Sequence, residues 1–190
     1  MRQILPFAAL VSLALGACSS QPDPAAATKR ATPDQPPQAQ PTPRSSRLPE
    51  LTAQGLGDLR IGQPVPASGG WSSLGVTSAN GCTTSSSADL GGVYAIVEQG
   101  KVRRITLGPT STVRLTGGLG VGASEAMVIL RYPGLSEELH KYEAPPAKYL
   151  TTVDAGPETS GLRFEIGTDG TVSQIHAGQM PALAYVEGCG

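Results

Sequence analysis

The sequence predicts an α+β, mainly β domain: an antiparallel sheet built from two tandem repeats of a helix slot followed by a hairpin, with one short helix, closed by a disulfide. Three observations carry this expectation. The segment GKVRRITLG at 100–108 aligns with GTVSQIHAG at 170–178, with four of nine positions identical at an offset of 70. Glycine is abundant, 24 of 190 residues, as a chain of short strands and many turns requires. Past residue 50 only two cysteines remain, Cys82 and Cys189.

The chain opens on a processing segment, residues 1–17. Arg2 gives a positive start, 4–15 is apolar apart from Pro6 and Ser12, and Gly16 and Ala17 are small. That order is the pattern of a secretory signal peptide. The apolar run is about a dozen residues, short of the roughly 20 that a helix needs to cross a bilayer core.

Residues 18–50 read as a tether. From 19 to 50 there are eight prolines and no aromatic residue. Proline removes backbone donors and favours extended polyproline II, and so little apolar surface cannot drive folding. Lys29, Arg30, Arg44 and Arg47 nearly balance Asp23, Asp34 and Glu50, which speaks against a polybasic arm.

The remaining 51–190 is one domain of ordinary length, with halves at about 51–109 and 110–190. Its nine Lys or Arg face twelve Asp or Glu, a net charge of −3, with no basic stripe for nucleic acid. In the first half, GDLRIG at 57–62 aligns with GGLGVG at 117–122, at an offset of 60. The helix slot after it, 63–70, holds two prolines and two glycines, which disfavour a regular helix. The slot in the second half, 123–131, reads as a short helix, capped by Ser124 or the glycine before it and ended by Tyr132-Pro133-Gly134. Strands are expected at 93–98 and 162–166. In the latter Leu162, Phe164 and Ile166 alternate with Arg163 and Glu165, so one face is buried. Asp169-Gly170 signals a type I′ hairpin, and Gln99-Gly100 holds the same place in the first half. Val102/Ile105 and Val172/Ile175 are three apart, which breaks alternation and predicts a shared bulge or strong twist. In an oxidising compartment Cys82 and Cys189 pair, pinning a last strand at the C-terminus; a catalytic thiol or a metal ligand are the alternatives.

Leu15-Gly16-Ala17-Cys18 resembles the lipobox of bacterial lipoproteins. The resemblance implies cleavage before Cys18, diacylation of its thiol, and, with Ser19 rather than Asp following, the outer membrane with the domain facing the periplasm (the cell membrane in a Gram-positive host). VGASEA at 121–126, with Tyr132-Pro133 leading into paired strands, resembles the helix-then-sheet unit of SmpA/OmlA-type outer-membrane lipoproteins. The duplicated arrangement resembles the β-lactamase-inhibitor-protein-like fold. The tail Tyr185–Cys189 resembles the ends of other bacterial lipoproteins. These resemblances imply non-enzymatic protein binders or assembly partners.

No catalytic constellation stands out. The glycines of 118–122 lack the lysine of a phosphate-binding loop, so they read as a turn. Ser124 lacks the final glycine of a nucleophile elbow and reads as a helix cap. His140 lies among Glu137, Glu138 and Glu143, while His176 is distant in the chain, so no metal or other cofactor is expected. Glu187 would need Arg104 or Arg163 if it faced inward. The expectation is a membrane-anchored periplasmic module that binds a protein in envelope assembly or as an inhibitor or immunity factor, and is not an enzyme. The alternatives are a structural envelope lipoprotein, or a cell-wall hydrolase or ligand-binding protein using His140 with nearby carboxylates.

Overall fold

A computed structural model describes residues 48–75, 78 and 81–189. The signal segment, Cys18 and the tether as far as residue 47 lie outside the described residues. The domain begins with a small antiparallel meander, β1 (Leu51–Thr52), β2 (Gly55–Leu56) and β3 (Leu59–Arg60). Its turns are tight enough that a Cβ on Gly55 would stand 2.2 Å from the Leu59 carbonyl oxygen. That is why the chain has glycine there. Leu51, Leu56 and Leu59 point from this meander into the core.

The main sheet has eight antiparallel strands. They are β4 (Trp71–Ser73), β5 (Cys82–Ser87), β6 (Val93–Glu98), β7 (Lys101–Leu107), β8 (Ser136–Leu139), β9 (Lys148–Thr151), β10 (Gly161–Ile166) and β11 (Val172–Gly178). In space the order is β4-β5-β6-β7-β11-β10-β9-β8. Two four-stranded meanders therefore meet through their last strands. At that junction Ile105 lies opposite Ala177, Thr106 opposite His176, and Leu107 opposite Ile175.

Both hairpins slip register by one residue. Ile96 and Val97 pair with Arg104 and Val102, leaving Arg103 as the extra residue; Glu165 and Ile166 pair with Gln174 and Val172, leaving Ser173. These bulges turn Val102 and Ile105, and Val172 and Ile175, onto the same buried face despite their spacing of three. The turns differ from expectation. Gln99 and Gly100 both have positive φ, 52° and 74°, as a two-residue I′ turn demands, so that turn falls in the first hairpin. In the second hairpin only Gly170 does. The Asp169 carboxylate instead accepts from the Thr171 N–H and hydroxyl (both 2.9 Å) and fixes a longer connection.

The helix α1 is Glu125–Arg131, capped as expected by the Ser124 hydroxyl, which accepts from the Met127 N–H. No helix forms at 63–70. α1 buries only Val128. That residue joins Phe164, Ile175, Ile105, Leu107, Val113 and Leu115 in the core between the sheet and the segments that cross it.

The C-terminus does not form the expected last strand. Residues Ala182–Ala184 make a single 3₁₀ turn, and Tyr185–Cys189 continues as loop to a disulfide with Cys82 on β5. Met180 to Pro181 is a cis peptide bond. The 3₁₀ turn packs on β7, β10 and β11 and covers the sheet face opposite the core. Leu183 and Ile96 are fully buried on that side.

Candidate functional site

The covered face of the sheet carries polar side chains. Row by row across the strands it presents Thr151, Arg163, His176, Thr106 and Tyr94, with Glu165 and Arg104 in neighbouring rows. In the sequence these residues are the non-core positions of alternating strands. The tail buries them: Arg104, Thr106, Arg163 and His176 are each 5% exposed or less.

Glu165 is the hub. Its Oε1 lies 3.0 Å from His140 Nε2, and its Oε2 lies 3.7 Å from His176 Nε2. His140 Nδ1 accepts from the N–H groups of Tyr142 (3.2 Å) and Glu143 (3.0 Å), so its ring proton sits on Nε2 and faces Glu165. His176 Nδ1 lies 2.9 Å from the Thr106 hydroxyl, which donates to it while Nε2 faces the carboxylate. Burial alone would raise the Glu165 carboxyl; the facing His176 ring and the hydrogen bond from His140 outweigh it and hold the group at about 2. Burial holds His176 down at about 4, helped by the charges of Arg104 and Arg163 and opposed by its contact with Glu165. At neutral pH Glu165 is an ionised carboxylate that faces both imidazole rings.

The surroundings complete this network. The Tyr149 ring stacks on His140 at 4.7 Å, and the Arg163 guanidinium lies 4.1 Å from the centre of the same ring. Arg163 donates to Thr151 and to Glu138. Arg104 has no carboxylate at ion-pair distance among the described residues; its Nη1 donates to the carbonyls of Ala182 (3.2 Å) and Tyr185, which ties the tail down. Desolvation lowers the pKa of this guanidinium.

The sequence places His140 with Glu137, Glu138 and Glu143, but the first two carboxylates go elsewhere and Glu143 meets the ring through its backbone N–H. Glu137 pairs with Lys148 and Glu138 with Arg163; the partner of His140 is Glu165, on another strand. His176, remote in the chain, comes to the same carboxylate because β11 is β10's neighbour. His140 Nε2, carrying the proton, offers no lone pair to a metal, and no group of three or more His, Cys, Asp or Glu among the described residues is disposed to hold one. Glu187 reaches neither Arg104 nor Arg163. It is exposed and takes hydrogen bonds from the Tyr142 hydroxyl and the Lys141 ammonium, which lower its pKa in that order.

A second site is open. The loop 117–123 and α1 enclose a cleft of about 420 Å³, lined by Leu119, Val121, Ala123 and Met127 with Arg114 and Arg131 at its walls. Met127, Ile129 and Leu130 are 55%, 51% and 79% exposed. This gathers three large apolar side chains on one turn of a seven-residue helix. From the sequence, 118–122 reads only as a turn. The signal that could have revealed the cleft is the run of apolar positions in AMVILR, too many for a helix with one buried side.

Comparison with known proteins finds no matching family model, no matching curated protein and no matching solved structure. The functional reading therefore rests on this chain's own residues.

Proposed function

We propose that the chain is a lipid-anchored envelope protein whose domain is a non-catalytic protein-binding module. The observation that carries this reading is the contrast between its two sites. The histidine–carboxylate cluster is sealed by the tail, its members committed to one another, which suits a structural role. The cleft beside α1 instead offers exposed Met127 beside Arg114 and Arg131, and Ile129 and Leu130 stand exposed on the same helix outside its lining, an apolar-plus-arginine composition found on binding surfaces.

The same proposal includes the anchor at Cys18, an outer-membrane location facing the periplasm, and an origin of the sheet by duplication of one four-stranded unit. The duplication is supported by the mirrored strand order, by bulges at Arg103 and Ser173, 70 residues apart, and by the facing of Thr106 and His176 at the same offset. The resemblance of 121–133 to SmpA/OmlA-type units agrees with a binding role. An alignment of homologues whose halves do not match across both hairpins would remove the duplication.

The module itself is tested by placing a photo-crosslinking residue at Leu130, and as a control at Asp58, in the full chain in intact envelopes. A discrete, reproducible adduct from position 130 alone is expected. Absence of any adduct from 130, with the protein folded and abundant, overturns the reading.

A further inference from the structure

The cleft beside α1 has features that specify what enters it. Both arginines are laid against the glycine loop. A Cβ on Gly117 would stand 3.1 Å from Arg131 Nη2, and one on Gly120 would stand 3.2 Å from Arg114 Cγ and 3.3 Å from its Nη1. Glycine at 117 and 120 thus leaves room for both arginine side chains against the loop. Arg114 Nη1 also donates to the Gly118 carbonyl at 3.0 Å, which fixes its position. Among the described residues neither arginine has a carboxylate within ion-pair distance. The carboxylates nearest Arg131 in sequence, Glu125 and Glu137, are both engaged by Lys148, at 3.1 Å and 3.2 Å. Between the arginines the lining is apolar: Leu119, Val121, Ala123 and Met127.

Resting on the binding-module reading, we propose that this cleft captures the C-terminal residue of a partner polypeptide. Its free α-carboxylate is held by Arg114 and Arg131, and its apolar side chain lies against Met127 and Leu119. The planar, fixed fork of arginine matches a carboxylate and binds it in bidentate fashion. A pair of unneutralised guanidinium groups around an apolar hollow needs one anionic group and one apolar group on adjoining atoms. A C-terminal residue supplies both from one Cα. An internal aspartate or glutamate supplies the charge in place of the apolar side chain, and so leaves the hollow unfilled. The volume falls within the ~300–1,000 Å³ of small-ligand sites, enough for a terminal residue and not for a folded element.

The test is a titration of the full, folded chain followed through the amide signals of Gly117, Gly118, Gly120 and Gly122, with Gly100 as the remote control. Three probes are compared: acetyl-Ala-Ala-Leu with a free carboxylate, the same peptide with a C-terminal amide, and acetyl-Ala-Leu-Asp-amide, whose one carboxylate is a side chain. The free-carboxylate peptide is expected to give saturable shifts confined to the loop. The amide and the side-chain carboxylate are expected to bind at least tenfold more weakly. Arg131→Gln and Arg114→Gln, both at exposed positions, are each expected to weaken the first peptide tenfold or more while the remaining signals stay in place. Equal binding of the amide, equal binding of the aspartyl peptide, or no saturable shift overturns the proposal. If the peptides fail while the adduct from Leu130 persists, the binding module stands and only the carboxylate specificity falls.

Discussion

Thr106 and His176 face each other at the centre of the eight-stranded sheet, paired in register across β7 and β11 and hydrogen-bonded at 2.9 Å. This contact fixes the imidazole of His176 with Nε2 toward Glu165, on the face that the tail covers.

A pH dependence of stability follows from that placement. In the folded chain His176 is held at about 4, against an ordinary 6.5. A lowered value means that the unfolded chain binds the proton more readily. The stabilisation is full above pH 6.5 and is lost as pH falls toward 4, amounting to roughly 3 kcal/mol over the whole window. Glu165, lowered to about 2 from 4.5, adds a second loss that begins below pH 4.5. Urea midpoints measured from pH 7 to 3 are expected to fall in these two stages. In His176→Gln the first stage should flatten and the second should shrink, because His176 helps hold Glu165 down; an unchanged slope between pH 6.5 and 4 would contradict the assignment.

The tail is secured at two points, by the Cys82–Cys189 disulfide and by the Arg104 guanidinium on the carbonyls of Ala182 and Tyr185. Closing a loop with a sequence separation of 107 stabilises by roughly 4–5 kcal/mol in the chain-entropy treatment, with native-state strain lowering the figure. Arg104→Met removes donors from two partly buried carbonyls and should cost about 2–3 kcal/mol. Hydrogen exchange distinguishes the two locks. The Cys82→Ser/Cys189→Ser pair is expected to loosen mainly 186–189, whereas Arg104→Met is expected to expose the amides of 183–185 with the disulfide intact.

The parts of the fold that were legible in the sequence are those where one face is apolar and the other polar. Leu162, Phe164 and Ile166 announce β10, and Ser124 before AMVILR announces α1. The strands that escaped notice lack that contrast. β5 buries Cys82, Ser85 and Ser87, all small, and β8, with sequence SEEL, is exposed at every residue because it is the edge of the sheet. The Glu165 hub escaped for a related reason. Alternation identifies Arg163 and Glu165 as the face away from the core, but it cannot tell water from a polar face covered by another segment. The cover is held largely by main-chain carbonyls, which leave no side-chain signature. Pairing of Cys82 with Cys189 was the one clue that the C-terminus returns across the sheet.

The anchor proposal makes a separate claim about Cys18. If its thiol carries the lipid, Cys18→Ser should leave the precursor uncut, with residues 1–17 retained and no lipid mass added. Intact mass of the wild-type chain should then show loss of residues 1–17 together with an added diacylglyceryl mass. A wild-type mass without lipid would refute the anchor without touching the account of the domain.

Two glycines, at the ends of segments 100–108 and 170–178, should respond very differently to alanine. Gly178 ends β11 where it crosses β7, and a Cβ there would stand 2.4 Å from the Arg103 carbonyl oxygen and 3.0 Å from the Arg104 Cα. Both obstacles are backbone, so the central strand pair must separate to admit a methyl group. Gly178→Ala is expected to cost about 2–4 kcal/mol, as overpacking against immovable atoms does. Gly100 has open space around its Cβ position and is constrained only by its φ of 74°, so Gly100→Ala should cost about 1–2 kcal/mol through backbone strain. Urea unfolding of both variants checks the order. If Gly100→Ala proved the more damaging, the close crossing of β7 and β11 at Gly178, and with it the register that brings Thr106 to His176, would be wrong.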